Sequence, residues 1–244
     1  MRHRNDIDPA RTWLISDTHF GHKNIIGYCH RPEDFEQILL ERINARVQDG
    51  DTLLHLGDLC YKGNSWFKNV IAPKIAPNAG RKLLIAGNHD HQRYSWYKNC
   101  GWKLTHPFYL TFDHTLDQLP GVREGDLGLA DYIVSFSHYP WAADSSDGKL
   151  PFERGRMVEE HWRIHGHIHN NGYFDGRSIT PPDYQLVPFL RNHVNLSCEM
   201  TKYEPVNLAS LLDAVLLGKL PSGDTPGDGD APSASDIGKE NPHA

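Results

Sequence analysis

The chain has 244 residues, of which 39% are hydrophobic, and this is enough to fill the core of one large domain or of two small ones. Its 25 Lys and Arg against 31 Asp and Glu give a formal net charge of −6, so the composition offers no basic surface suited to duplex nucleic acid. No apolar run approaches the length of a membrane-spanning helix. The unusual feature is the 16 histidines, because imidazole is a common metal ligand.

The chain termini and the cysteines carry little targeting or disulfide signal. Segment 1–10 is charged and lacks the apolar stretch of a signal peptide, and the four cysteines show no paired spacing. We therefore expect a cytoplasmic protein with reduced thiols and no membrane partner. Segment 221–244 is built from Pro, Gly, Ser, Asp and Ala, which predicts a disordered acidic tail after a single domain over 1–220.

Short apolar runs that end in polar, Gly-containing loops predict buried strands. In chain order these runs are 12–16, 52–56, 82–86, 132–137, 162–166 and 194–197. Helical patterns lie between the first three runs, which favours an α/β fold. The later segments 113–131 and 141–156 are long and rich in Asp, Gly, Ser and Pro, as is typical of loops that cover or line a substrate site.

The clearest helical pattern follows the first predicted strand. Arg31-Pro32-Glu33-Asp34 places a proline and two acids where a helix begins. The apolar residues that then recur every four positions on one face are Phe35, Leu39, Ile43 and Val47. This face is predicted to pack on a sheet. Weaker helices are predicted at 65–71 and 91–99.

Side chains that can bind metal follow each of the first five predicted strands. They are Asp17 and His19, then Asp58, then Asn88, His89 and Asp90, then His138, and finally His167 and His169. Because ligands collect at the carboxyl ends of strands in α/β folds, we expect these loops to meet in one crevice. The mixture of imidazole, carboxylate and amide groups suits Mn, Fe or Zn. There are too many groups for one ion, whereas sharing Asp58 gives a two-metal site.

These residues form short motifs in a fixed order. The motifs are Asp17-Thr18-His19, Gly57-Asp58, Gly87-Asn88-His89-Asp90, His138 and Gly166-His167-Ile168-His169. Their order over residues 12–200 resembles that of the calcineurin-like metallophosphoesterases. The segment from Ser16 to Ile26, followed by Tyr28 and Arg31-Pro32, is similar to small bacterial and phage members. The resemblance implies a four-layer αββα sandwich with two mixed β-sheets that hydrolyses phosphate esters.

The resemblance also implies a role for each motif residue. It assigns Asp17, His19 and His169 to one divalent ion, Asn88, His138 and His167 to the other, and Asp58 to a bridge between them. His89 is the implied catalytic histidine, which does not bind metal, and Asp90 is the neighbour that orients it. From the residues alone, Asn88 and Asp90 could instead cap the helix predicted at 91–99. We expect Mn as the metal, with Fe, Zn, Ni and Co as alternatives.

Three histidines lie close to these motifs without belonging to them. His22, three residues after His19, either contacts a substrate phosphate or supports its own loop. His55 lies within a predicted strand and is expected to pack. His165 ends another strand and is expected to face away from the site.

The expected activity is phosphodiester hydrolysis by a hydroxide that bridges two metal ions. Small nucleotides such as 2′,3′- or 3′,5′-cyclic nucleotides are the leading substrate class, because the charge balance disfavours duplex nucleic acid. A phosphomonoesterase and a single-strand nuclease are alternatives with the same chemistry. A third alternative is an inactive interaction scaffold, which the presence of every family ligand and of His89 argues against.

Overall fold

The computed structural model describes residues 2–112, 132–140, 161–170 and 193–216. The strands in these ranges are β1 (Arg2–His3), β2 (Thr12–Ile15), β3 (Thr52–His55), β4 (Arg81–Ile85), β5 (Lys103–Thr105), β6 (Phe108–Phe112), β7 (Tyr132–Phe136), β8 (His161–His165), β9 (His193–Asn195) and β10 (Val206–Asn207). The α-helices are α1 (Ile25–Cys29), α2 (Phe35–Arg46), α3 (Tyr94–Asn99) and α4 (Leu208–Leu216). The predictions for 113–131, 141–156 and 221–244 fall outside the described residues and stay predictions.

The strands form two mixed sheets. One has the order β10-β2-β3-β4-β5, in which β10 is antiparallel to β2 and the other neighbours are parallel. The second has the order β1-β6-β7-β8-β9, in which β6 and β7 are antiparallel and the other neighbours are parallel. The two sheets and their helices confirm the α/β sandwich expected from the sequence.

The central strands β2 and β3 of the first sheet are buried on both faces, which explains their apolar runs. Successive residues point to opposite faces of a strand. In β3, Leu53 packs in the core on the helix side of the sheet, whereas Leu54 packs in the core between the two sheets. In β2, Ile15 and Leu14 divide in the same way. Because neighbouring residues of these strands point to opposite faces, each strand contributes side chains to both hydrophobic cores.

The helix predicted after Pro32 begins at Phe35, where the Phe35 N–H donates to the Pro32 carbonyl. Its apolar face is buried in the helix-side core, as the spacing predicts. The predicted helix 65–71 contains a π-helical segment at Phe67–Ile71, and the helix predicted at 91–99 is the shorter Tyr94–Asn99. None of the helices in the described ranges is both long and apolar enough to span a membrane.

Several elements had no sequence prediction. Three of the strands, β1, β5 and β10, have only two or three residues each, which is too short for a periodic pattern. Strand β6 and helices α1 and α4 were missed as well. Helix α4 packs Leu208, Leu211 and Leu212 into the core between the sheets.

The topology brings the polar loops together. Because β2, β3 and β4 are parallel and in register, Ile15 lies beside His55, and the loops after these strands leave one edge of the sheet. Strands β7 and β8 are also parallel, with Phe136 beside Ile164, so the loops that carry His138 and His167 leave together. The motif residues of both sheets therefore lie at the strand ends that line one crevice.

Candidate metal centre

The backbone of the motif loops has an uncommon conformation. Five motif residues have φ between 49° and 74°, the left-handed region that residues other than glycine rarely adopt, namely Asp17, His19, Asp58, His167 and His169. Each such residue costs on the order of 1 kcal/mol or more, and the surrounding structure must hold it in place. Backbone hydrogen bonds between the loops do so, from Asp17 N–H to the Gly57 carbonyl and from His19 N–H to the Asp58 carbonyl. Such strain is characteristic of functional sites.

Two motif glycines allow the loops to approach closely. A Cβ at Gly57, where φ is +114°, would lie 2.4 Å from His138 Nδ1. A Cβ at Gly87 would lie 2.2 Å from Asp58 Oδ1. The glycines of the Gly-Asp and Gly-Asn motifs are thus required because ligand side chains occupy the space that a side chain would need.

The first group of candidate ligands consists of Asp17, His19 and His169. Their ligand atoms all lie within 4.8 Å of one another, and all three residues are buried. His169 Nε2 lies 3.6 Å from Asp17 Oδ1. The Asp17 carboxylate also accepts the His167 backbone N–H at 3.0 and 3.1 Å, which holds the two loops together.

The second group consists of Asn88, His138 and His167. Asn88 Oδ1 lies 2.9 Å from His138 Nε2 and 2.9 Å from His167 Nδ1. The same two ring nitrogens are 3.2 Å apart. Asp58 lies between the groups, since its Oδ2 is 3.4 Å from His19 Nε2 and 3.5 Å from His138 Nε2. The capping role considered for Asn88 does not occur, because the N-cap of α3 is Arg93.

The chemistry of these atoms fits a divalent cation. His138 Nδ1 lies 2.9 Å from the Leu56 carbonyl oxygen, so Nδ1 carries the proton and Nε2 presents a lone pair when the ring is neutral. That lone pair faces oxygens of Asn88 and Asp58. His19 Nε2 is buried and makes no hydrogen bond within the described residues. Ligand bonds of about 2.1 Å in a tetrahedral site separate neighbouring ligand atoms by about 3.4 Å, close to the separations seen here.

The electrostatics of the cluster also favour a cation. Burial raises the pKa of Asp17, but the neighbouring histidines, His169 foremost, outweigh burial and hold it below its usual range. Burial would lower the pKa of His169, yet contacts with Cys29 and Glu199 and the charge of Asp17 raise it to about 11. The anionic surroundings that stabilise a proton on His169 would equally attract a metal ion.

Glu199 and Arg31 belong to this site, although neither was singled out in the sequence as a site residue. Glu199 Oε1 lies 3.1 Å from His169 Nδ1, and its side chain is only 4% exposed. The fully buried Arg31 guanidinium lies 2.6 Å from the same oxygen and donates to the Asp17 and Thr18 carbonyls. Glu199 therefore orients His169. Arg31 balances the negative charge of Glu199 and holds the Asp17 loop. In the sequence, Arg31-Pro32 was noted only as a helix start and as part of the family resemblance, and Glu199 belongs to no motif, so the contacts of the two residues at this site were not predicted.

Asp90 is bound to the backbone of the neighbouring loops. Its carboxylate accepts the backbone N–H groups of Asp58, Leu59 and Gly87 at 2.7, 3.2 and 2.9 Å. The Tyr97 hydroxyl donates to it at 3.3 Å. Within the described residues it makes no hydrogen bond to the His89 ring, and it fixes the Asp58 loop; the orienting role that the resemblance implies for Asp90 stays a prediction. A carboxylate that accepts several backbone N–H groups in this way holds the Asp58 loop in its conformation.

His89 and His22 lie at the edge of the cluster. The His89 backbone N–H donates to Asp58 Oδ1 at 2.8 Å, and the His89 ring packs edge-on against His19 with centroids 5.0 Å apart. His22 Nδ1 lies 3.3 Å from His19 Nδ1. The His22 ring also stacks on Tyr61, with centroids 4.1 Å apart and planes at 7°. Burial, together with the charge of His19, lowers the pKa of His22 to about 4, so the ring is neutral near pH 7.

His55 packs beside the cluster rather than within it, as the sequence suggested. The Gly57 N–H donates to His55 Nδ1 at 3.2 Å, which leaves the proton on Nε2 to donate to Thr18 Oγ1 at 2.9 Å. Thr18 in turn donates to the Leu59 carbonyl at 2.8 Å. His55 thus connects the loop after β2 to the loop after β3. His165 is fully buried, and its Nδ1 lies 2.9 Å from the Gly166 carbonyl oxygen.

The fold and the site together define a class. This is a two-sheet α/β protein whose strand-end loops bring buried His and Asp side chains into adjoining clusters that could hold divalent metal ions. Residues 10–196 match the family model described as calcineurin-like phosphoesterase. The chain belongs to the calcineurin-like phosphoesterase family.

Comparisons with individual proteins agree with this membership. The chain is 29% identical over 216 residues to the uncharacterized protein MJ1445 of Methanocaldococcus jannaschii, covering 86% of this chain and 94% of that protein. It is 28% identical over 166 residues to the gene 66 protein of Mycobacterium phage L5, covering 66% and 78%. Among solved structures, the protein of unknown function AQ665 from Aquifex aeolicus matches with a TM-score of 0.51 and 24% identity over 82% of this chain and 96% of that chain, which supports the fold alone.

Proposed function

We propose that this protein is a dimetal-dependent phosphodiesterase that hydrolyses small nucleotide diesters, with 2′,3′- and 3′,5′-cyclic nucleotides as the leading substrates. The observation that carries the proposal is the position of Asp58 between two ligand groups, 3.4 Å from His19 and 3.5 Å from His138. Asp17, His19 and His169 would hold one ion, and Asn88, His138 and His167 the other. When bound, the ions would activate water and neutralise the charge of the phosphate. The mixed donor set favours Mn among the candidates.

His89 is proposed as the general acid. A diester releases an alkoxide, a poor leaving group that needs a proton, so a diesterase requires a donor close to the reacting centre. One ring nitrogen of His89 lies within 4.8 Å of ligand atoms of His19 and Asp58, and the residue is only partly buried. It can therefore reach both the cluster and a substrate in the crevice.

His22 is proposed as a donor to a phosphate oxygen. If His19 uses Nε2 as a metal ligand, its Nδ1 carries the proton and donates to His22 Nδ1, 3.3 Å away. A neutral His22 then has its own proton on Nε2. The stack on Tyr61 holds the ring in this orientation. His22 would thus present a fixed N–H next to the metal centre.

Hydrolysis with defined metals tests the proposal. Metal-stripped protein reloaded with Mn²⁺ is expected to hydrolyse bis-p-nitrophenyl phosphate and cyclic nucleotides faster than p-nitrophenyl phosphate. The Asp58→Asn variant is expected to lose most turnover and metal, whereas the exposed Asp49→Asn serves as the matched control. His89→Ala is expected to keep its metal and lose turnover.

Each outcome of the screen is informative. A loaded protein that hydrolyses none of these esters would refute the proposal. Faster turnover of the monoester than of the diester would replace it with a phosphomonoesterase. Unchanged turnover in His89→Ala would remove the role assigned to that residue.

A further inference from the structure

A line of aromatic rings leads from the metal cluster to the surface. It starts at His19, whose ring is 5.2 Å from that of His22. His22 is stacked on Tyr61 at 4.1 Å and is in edge contact with Tyr28, with centroids 6.2 Å apart at 77°. Tyr61 also lies 6.1 Å from His89. His19 and His22 come from the loop after β2, Tyr61 and His89 from the loops after β3 and β4, and Tyr28 from helix α1. Three strand-end loops and one helix therefore share this aromatic wall.

Exposure increases along this wall. His19 and His22 are 1% and 8% exposed, whereas Tyr28 is 65% exposed. The Tyr28 hydroxyl makes no hydrogen bond to any described residue, and a Cβ built at the adjacent Gly27 would have nothing within 4 Å. Tyr28 is therefore the exposed outer end of a wall whose inner end is a candidate metal ligand.

We propose that Tyr28 is a stacking platform for the nucleoside part of the substrate, an assignment that rests on the proposed phosphodiesterase function. A phosphodiester bound at the metal cluster must direct its organic groups out of the crevice. A nucleobase that extends from the cluster past His22 would meet the face or edge of the Tyr28 ring. Stacking of nucleobases on aromatic side chains is strong and tolerant of sequence, because every base has a π-face.

The charges on the wall agree with an anionic nucleotide. Lys62 Nζ lies 5.0 Å above the Tyr61 ring and is exposed, which adds a positive charge beside the same path. Arg31 is buried and paired with Glu199, whereas Lys62 is exposed and open to a substrate. The wall thus combines an aromatic platform with a solvent-facing cation, the combination that suits single nucleotides and short single strands.

Two diesters with the same leaving group test the platform. Thymidine 5′-(p-nitrophenyl phosphate) and methyl p-nitrophenyl phosphate differ only in the nucleoside, so the ratio of their kcat/KM values reports nucleoside recognition. In Mn²⁺-loaded wild type this ratio is expected to favour the nucleoside. In Tyr28→Ala the ratio is expected to fall about tenfold, because kcat/KM for the thymidine substrate should fall while kcat/KM for the methyl substrate should not change. Tyr94→Ala, which removes a tyrosine of similar exposure (53%), is the control and should leave the ratio unchanged.

A binding measurement separates this proposal from the function on which it rests. Thymidine 5′-monophosphate should bind the Mn²⁺-loaded Tyr28→Ala protein about tenfold more weakly than wild type, while inorganic phosphate should bind both equally. If neither diester is hydrolysed but this difference in binding persists, the diesterase function fails and the platform stands. Equal losses on both diesters, or no change in either measurement, would overturn the platform.

Trp66 provides a second check. It lines a cavity of about 660 Å³ together with Gly21, Lys23 and Ile26, beside the loop that carries His22. No residue of the metal cluster lines this cavity. If Trp66→Ala reduced nucleoside preference while Tyr28→Ala did not, the nucleoside would bind in the cavity and our assignment of Tyr28 would be wrong.

Discussion

Replacing Glu199 by Gln should weaken the binding of one metal ion and leave the other largely unaffected. Glu199 Oε1 accepts from His169 Nδ1 at 3.1 Å, in a position where its side chain is 4% exposed. A carboxylate behind a ligating imidazole fixes the ring and makes its other nitrogen more basic. Gln has nearly the same shape but no charge, so the change removes this electrostatic support while the side chain remains large enough to fill the site.

Loss of such a supporting carboxylate typically lowers metal affinity by about 10–100-fold, or about 1.4–2.7 kcal/mol. The effect should fall on the ion that Asp17, His19 and His169 would hold, because the candidate ligand that Glu199 contacts is His169. Titration calorimetry of metal-stripped protein with Mn²⁺ should therefore resolve one weakened equivalent and one nearly unchanged equivalent.

Glu204→Gln is the matched control, since Glu204 pairs with Arg46 at the surface and is 40% exposed. Screening by water makes such a pair worth little, so metal binding should not change. The substitution at Glu199 also leaves Arg31 buried without its anion, and far-UV circular dichroism must show that the variant is folded. Two unchanged equivalents in a folded Glu199→Gln protein would refute the role given to Glu199.

Three further predictions follow from contacts around the loops. His55→Leu removes the hydrogen bonds to Thr18 and Gly57, so the free energy of unfolding in urea should fall by about 1–3 kcal/mol; no change would contradict the link between the loops. Gly87→Ala places a Cβ 2.2 Å from Asp58 Oδ1 and should lower kcat about 100-fold, whereas Gly27→Ala, with open space around it, should not. All four cysteines are buried, and burial raises the pKa of the Cys60 thiol, so a thiol reagent should label none in the native protein between pH 7 and 9 and all of them in urea. Rapid labelling of the native protein would show that these side chains are accessible.

Local patterns were sufficient for the strands and the main helix. Each predicted strand agrees with the structure to within one or two residues, because a short apolar run bounded by polar loops reflects burial on both faces of a sheet. The four-residue repeat from Phe35 likewise identified the buried face of α2. Elements of two or three residues at sheet edges, such as β1 and β10, have no period to detect, and only the partner strand defines them.

The candidate ligands were also predictable, since residues at strand ends meet whenever parallel strands are in register. The contacts that hold these ligands in place could not be predicted from the sequence. Arg31 and Glu199 are 168 positions apart in sequence, and the hydrogen bonds from the Asp58 loop to Asp90 were not predicted. The proximity of Tyr28 to His22 likewise depends on how α1 packs against the loop before it.

The sequence by itself determined which segments form the sheets and which chemical groups stand at their ends, because apolar periodicity and residue type are local properties. The tertiary structure decided which oxygen faces which nitrogen. The packing places Glu199 against His169, Asp90 against the backbone of the Asp58 loop, and Tyr28 at the outer end of the aromatic wall. These choices depend on distances of a few ångströms between side chains that are far apart in sequence, and only the packing of the two sheets and their loops sets those distances.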